Sequence, residues 1–170
     1  MRIILFRGRP GTGKTTLSTA LGYLANLPVL RKDDFYDAVS EFIAEHGARN
    51  RASYQALYSI LESNSKTDST FILDYPFQHP GDLGIVRKWS AEHGTTLKSI
   101  LVTCSDEELW AHRLEERAKN PTPNQIITDF LSLRTLYGVM QLMPEADELF
   151  VDTVDNIATI LPRVIRFVSE

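Results

Sequence analysis

The run Ile3-Ile4-Leu5-Phe6-Arg7-Gly8-Arg9-Pro10-Gly11-Thr12-Gly13-Lys14-Thr15-Thr16 decides how the rest of the chain is read. Its first four residues are a short apolar run ended by a glycine loop, the pattern of a strand buried in a parallel sheet. Gly8 to Thr15 then fits G-x-x-x-x-G-K-[ST] at every fixed position. From Lys14 to Asn26, Leu17, Ala20, Leu21, Leu24 and Ala25 recur at helical spacing. Strand, glycine loop and helix in this order suit an anion. Gly8 and Gly13 can take backbone angles closed to other residues, so the amides of Gly11 to Thr15 can wrap a phosphate. The positive end of the helix adds to that field. Lys14 would then reach the β- and γ-phosphates of a nucleotide, and the Thr15 hydroxyl would ligate Mg²⁺. Pro10, Thr12 and Thr16 complete the expected nucleotide loop.

Gly11-Thr12-Gly13 also opens a G-x-G-x-x-G pattern, and Asp33 lies about 20 residues on, where a dinucleotide site places its ribose-binding acid. Thr16 occupies the third glycine position, however, and Lys14-Thr15 is the pair a triphosphate site requires. The triphosphate reading is therefore preferred.

Outward from the loop, strand-like and helix-like runs alternate. Pro28 to Leu30, Thr70 to Leu73, Leu97 to Cys104 and Leu149 to Val151 read as further strands. Helices are expected from Asp34 to about Asn64 with a break near Gly47, and from Asp82 to His93. Others should cover Asp106 to Lys119, Asn124 to Leu142 and Asn156 to Val168. Asp34 is placed as the cap of the first of these. Ser105, with Glu108 three residues on, has the form of a capping box. Asn120-Pro121-Thr122-Pro123 should end the helix before it, and Pro162 should kink the last one. The alternation predicts a five-stranded parallel α/β sheet with helices on both faces, as one domain over residues 1–170. The patterns leave the strand order open.

Of the 170 residues, 43% are hydrophobic and 24% charged, which excludes a disordered or collagen-like chain. Eighteen Lys and Arg face 22 Asp and Glu, a net charge of −4, which argues against a general binder of nucleic acid or membrane surfaces. Cys104 is the only cysteine, so no intramolecular disulfide can form, and it is expected as a small buried residue. His46, His79, His93 and His112 lack metal-ligand spacing. No run approaches the ~18 apolar residues of a membrane span. A soluble, cytoplasmic monomer or homodimer is expected.

Ligands of open α/β sheets bind at the carboxyl ends of the strands, so polar residues just after strands are the next candidates. Asp74 closes the apolar run Phe71-Ile72-Leu73, where a carboxylate can hold Mg²⁺. Asp33 and Asp34 follow the second strand, and either could take the proton of an attacking hydroxyl. Asp33 is favoured and Asp34 is left to the cap. Arg113 and Arg117, four apart on one helix face, precede the proline break and suit a clamp on transferring phosphate oxygens, with about 113–124 as a lid. Trp89 and Trp110 are expected to pack, and His79 to sit in a loop.

GRPGTGKTT, LRKDDFY, FILDY and ELWAHRLEERAKNP, in that order, resemble the small P-loop kinases. The likeness is to the AAA-like kinase-type ATPase group, which includes the kinase domain of phage polynucleotide kinase and chloramphenicol phosphotransferase. It implies a P-loop NTPase fold with strand order 2-3-1-4-5, binding of ATP and Mg²⁺, and phosphoryl transfer to a hydroxyl. By position it implies Lys14 and Thr15 as triphosphate and Mg²⁺ residues, Asp33 as base, and Asp74 as the acid after the third strand. Arg113 and Arg117 become lid arginines, and Asp152-Thr153 the segment near the adenine. Polynucleotide kinases carry an acceptor-holding arginine three residues after the base; here that position is Tyr36. With the negative net charge, this favours a small-molecule acceptor, uncharged or cationic, in a pocket shaped by the helical region of about 34–66. The rival expectations are a kinase of nucleic-acid 5′-hydroxyls and a nucleotide-dependent regulatory or toxin-like module.

Overall fold

A computed structural model describes residues 1–79 and 81–170. Five parallel strands, β1 (Arg2–Arg7), β2 (Val29–Arg31), β3 (Thr70–Asp74), β4 (Thr96–Thr103) and β5 (Glu148–Asp152), form one sheet in the order β2-β3-β1-β4-β5. The helices are α1 (Lys14–Ala25), α2 (Lys32–Ala38), α3 (His46–Asn64), α4 (Asp82–Glu92), α5 (Glu107–Ala118), α6 (Phe130–Tyr137) and α7 (Ile157–Ser169). This is the expected α/β architecture, with the strand order the family resemblance implied.

β1 shows why the sheet needs both helical layers. Successive side chains of a strand point to opposite faces. Ile4 and Phe6 pack with Leu17, Leu21, Ile160 and Val164 of α1 and α7. Ile3 and Leu5 pack with Leu57, Leu61, Leu83 and Val86 of α3 and α4. Each fully buried Leu or Ile contributes about 1.5–3 kcal/mol relative to exposure. A third cluster, Cys104, Trp110, Leu114, Leu133 and Met140, joins the end of β4 to α5 and α6. Cys104 and Trp110 are thus packing residues, as the sequence suggested.

Several helix ends differ from expectation. The break expected near Gly47 falls earlier, between Ala38 and His46, because Glu45 caps α3: its carboxylate accepts from the amides of Gly47 and Ala48 at 2.7 Å each. Asp34 is not the cap of α2; Arg31 holds that position, and Asp34 lies in the first turn, 3.2 Å from the Arg31 guanidinium. Asp106, not Ser105, caps α5, its Oδ1 accepting from the Leu109 amide at 2.9 Å. The helix expected over Asn124 to Leu142 is only Phe130–Tyr137. Asp129 caps it late, and Gly138 at φ 64° ends it early. α7 runs through Pro162 on its exposed side, where water can serve the carbonyl that loses its donor. Among the described residues, no helix is long and apolar enough to cross a membrane.

Candidate functional site

The glycine loop leaves the end of β1 and enters α1. Gly8 lies at φ 144°, and a Cβ there would come 2.2 Å from the Val102 carbonyl oxygen, so only glycine lets the loop cross β4 this closely. Trp110 braces the loop from below by donating its Nε1–H to the Pro10 carbonyl at 2.8 Å. Thr12 is buried, and its hydroxyl donates to the Arg9 carbonyl at 2.9 Å. α1 has Gly13 at its cap, no side-chain cap bond and no acid in its first turn. Its leading amides are therefore open to an anion.

Lys14 reaches back across the loop and donates to the Arg9 carbonyl at 2.9 Å. Burial pulls its pKa below the ordinary lysine value, against the opposing charges of Asp74 and Asp33. The Thr15 hydroxyl donates to Asp74 Oδ2 at 2.6 Å. A hydroxyl and a carboxylate this close are two hard oxygen ligands of the kind Mg²⁺ accepts. Among the described residues no group of three or more His, Cys, Asp or Glu could hold a metal. The pair fits an ion that completes its shell with phosphate and water oxygens.

Asp33 is half-buried at the start of α2. Burial raises its carboxyl above the usual range and the nearby Asp74 adds to this, while Lys14, Lys32 and Arg117 pull it back. Asp34, by contrast, is exposed and engaged with Arg31. The side-chain amide of Asn124 donates to Asp33 Oδ1 at 2.6 Å, its oxygen accepts from Lys32 Nζ at 2.6 Å, and its backbone N–H donates to Asp37 at 2.8 Å. Three bonds thus fasten the segment after the proline break onto α2. Sequence reasoning missed Asn124, which looked like the start of a helix.

The two arginines differ in place. Arg113 donates to the hydroxyl and carbonyl of Thr153 at 2.7 and 2.9 Å. Arg117 lies near enough for its charge to act on both Lys14 and Asp33. Thr153 is drawn against the glycine loop, and a Cβ at Gly13 would come 3.2 Å from its methyl group. Asp152 instead accepts from the amides of Ser105 and Val154 through Oδ1. Pro10, Gly11, Gly13, Lys14, Thr15 and Thr16 line one end of a cavity of about 1330 Å³, together with Arg113, Arg117 and Thr153. Asp33 and Asp74 lie along it, and α3 and the start of α4 line the other end. Asp152, Gly8 and Thr12 are not among its lining residues; the last two shape the loop from behind. A pocket for one small ligand typically holds ~300–1,000 Å³, so this cavity has room for two.

A central strand running through this glycine loop into α1, in a sheet of order 2-3-1-4-5, defines the P-loop NTPase fold as it occurs in kinases. The AAA domain family matches residues 3–134, most of the chain, and the chain belongs to that family. Three solved structures are similar. A candidate kinase from Chloroflexus aurantiacus J-10-fl is 21% identical with a TM-score of 0.77, covering 98% of this chain and 97% of that one. A gluconokinase from Sinorhizobium meliloti 1021 is 17% identical with a TM-score of 0.65, covering 98% and 90%. The Mycobacterium tuberculosis APS kinase CysC in complex with AMPPNP and APS is 12% identical with a TM-score of 0.68, covering 99% and 98%. Among curated proteins no sequence match is found.

Proposed function

We propose that the protein is a kinase that moves the γ-phosphate of ATP to a hydroxyl of a small molecule. The observation that carries this reading is the single cavity with the glycine loop at one end, a chemically distinct chamber at the other and Asp33 between. A nucleotide switch needs only the first end. Gly11 to Thr16 hold the triphosphate through backbone amides and the Lys14 ammonium. Thr15 and Asp74 hold Mg²⁺, which when bound neutralises phosphate charge. Asp33 accepts the proton of the acceptor hydroxyl, and its raised pKa makes it a better base than an ordinary aspartate. Arg117 stabilises charge on the transferring group. Arg113 holds Thr153 against the loop on the nucleotide side. The segment of about 113–124 acts as a lid, with Asn124 as its latch, and limits water around the reacting phosphate. The fold neighbours include a gluconokinase and an APS kinase, which supports a small acceptor over a nucleic-acid end.

The test is Mg²⁺-dependent ADP release from ATP across a panel of sugars, nucleosides, amino alcohols and 5′-hydroxyl oligonucleotides. Lys14→Ala serves as the blank. Stimulation by a small-molecule hydroxyl is expected. Stimulation by the oligonucleotide alone would move the assignment to nucleic-acid ends, and tight nucleotide binding without stimulation to the regulatory reading.

A further inference from the structure

The chamber beyond Asp33 lies between α3, the segment after β3 and the start of α4. Its walls are aromatic. Tyr54 meets Phe77 edge-on with ring centroids 5.4 Å apart, and Tyr58 lies one helical turn further along α3, 6.1 Å from Trp89. Burial raises both phenols above the ordinary tyrosine pKa, and the charge of Asp82 adds to the push on each. The rings are therefore neutral, and Asp82 lines the same cavity as both. Asp82 is half-buried, and its Oδ2 accepts from the His79 amide at 2.8 Å. Tyr58 Oη and Gln78 Oε1 are buried without a hydrogen-bond partner among the described residues. Such atoms call for an explanation, and a bound polar molecule supplies one.

Two cations that line the cavity beyond Asp33 have partners of their own. Arg31 lies 3.2 Å from Asp34, and Lys32 donates to Asn124 at 2.6 Å while lying 4.6 Å above the Tyr36 ring. Behind them, Arg9 stacks on Tyr137 at 4.1 Å and donates to the carbonyls of Gln78 and Val139. An anionic acceptor would face Asp82, and of the lining cations Lys32 is held by Asn124 and Arg31 is drawn to Asp34. A cation would find two tyrosine rings and a carboxylate along one wall, the combination that recognises ammonium groups.

Resting on the kinase reading, we propose that the acceptor is a hydroxyl-bearing amine. Its ammonium is held by Tyr54, Tyr58 and Asp82, and its hydroxyl is directed at Asp33. The hydroxyl oxygen forms a bond to the γ-phosphorus. The bond from that phosphorus to the β–γ bridging oxygen breaks, ADP leaves with its electron pair, and the hydroxyl proton passes to Asp33. The amine is a handle and takes no part in bond making.

The test uses matched probes: glucosamine, N-acetylglucosamine and gluconate, and phenylalaninol, N-acetylphenylalaninol and phenyllactate. ADP release and calorimetric binding are measured for each. The amine is expected to exceed its neutral and anionic counterparts by about 10-fold or more in kcat/KM and in affinity. Asp82→Asn keeps the hydrogen-bond acceptor, removes the charge, and should shrink that preference to a few-fold or less. Tyr58→Leu should weaken amine binding independently if the Asp82 variant folds poorly. Equal use of amine and N-acetyl probes, or a preference unchanged in Asp82→Asn, would overturn the proposal. If no probe stimulates ADP release, the kinase reading loses support, yet calorimetry still decides this one. Saturable amine binding lost in Asp82→Asn sustains it, and no amine binding by any probe overturns it.

Discussion

The Thr15 hydroxyl donates to the Asp74 carboxylate across 2.6 Å, joining the first turn of α1 to the end of β3. The two residues are 59 apart in sequence and meet because the strand that leads into the glycine loop, β1, is the neighbour of β3 in the sheet. As a joint Mg²⁺ site the pair makes a definite prediction. Asp74→Ala should leave nucleotide affinity in EDTA nearly unchanged, abolish the gain on adding Mg²⁺, and cut turnover by ~100-fold or more. Titrations of ATP with and without Mg²⁺ check this. A variant that keeps the wild-type Mg²⁺ gain would remove Asp74 from the site.

The Asp33 carboxyl is raised above its ordinary value of 3.8, first by burial and then by the charge of Asp74. A base works deprotonated, so activity should be lost as pH falls through the raised value, placing the acid limb of kcat/KM above that of an unperturbed aspartate. Lys32 pulls this carboxyl down. Lys32→Met should therefore shift the limb to still higher pH. Asp33→Asn should lower transfer by ~10²–10⁴-fold while nucleotide affinity changes little. A full-activity Asp33→Asn enzyme would end the base assignment.

Asn124 joins the lid to the base through its bonds to Asp33 and Lys32. A hydrogen bond to a charged group is worth ~1.5–3 kcal/mol, so Asn124→Ala should lower kcat by about 10- to 100-fold. It should also displace the acid limb, a shift that a purely structural role would not produce. pH profiles of kcat for the variant and wild type make the comparison.

The fold was legible because its signals are local: the apolar run Ile3 to Phe6, the glycine loop and the period of each helix all sit within short windows of sequence. Lys14 and Thr15 are legible from the glycine-loop motif, and Asp33 and Asp74 because a parallel sheet places its strand ends together; all four line one cavity. Asn124 was not legible. Its partners lie 87 to 92 residues away, and an Asn just after two prolines looks like the start of the next helix. Arg113 shows the limit of face arguments. Its spacing from Arg117 predicted a shared role, but Thr153 captures it. Ser105 gives way to the adjacent Asp106, which caps equally well, whereas the cap position of α2 falls at Arg31, before Asp34, and has no side-chain cap bond at all.

Glu148 ties the far edge of the sheet to the loop strand. It accepts from Arg7 at 2.7 and 2.5 Å and from Ser99 at 2.6 Å, with its side chain fully buried. Burial pushes its pKa up, but the bonds from Arg7, the Glu145 amide and Ser99 outweigh this and hold it below the ordinary 4.5. A carboxylate depressed on folding stabilises above its unfolded pKa and loses that contribution as pH falls through the folded value. Stability should thus decline below about pH 4.5, the ordinary value. Glu148→Gln should flatten that decline. Glu148→Ala, which leaves Arg7 buried and unpaired, should cost ~3–5 kcal/mol. Urea denaturation at several pH values measures both.

The most direct test of phosphoryl transfer is to follow the label of γ-³²P-ATP in the presence of Mg²⁺ and the acceptor that best stimulates ADP release. The account predicts label in a phosphate monoester of the acceptor, one equivalent per ADP formed, with none in Lys14→Ala. Label recovered only as inorganic phosphate, or left entirely in ATP that remains bound, would contradict it.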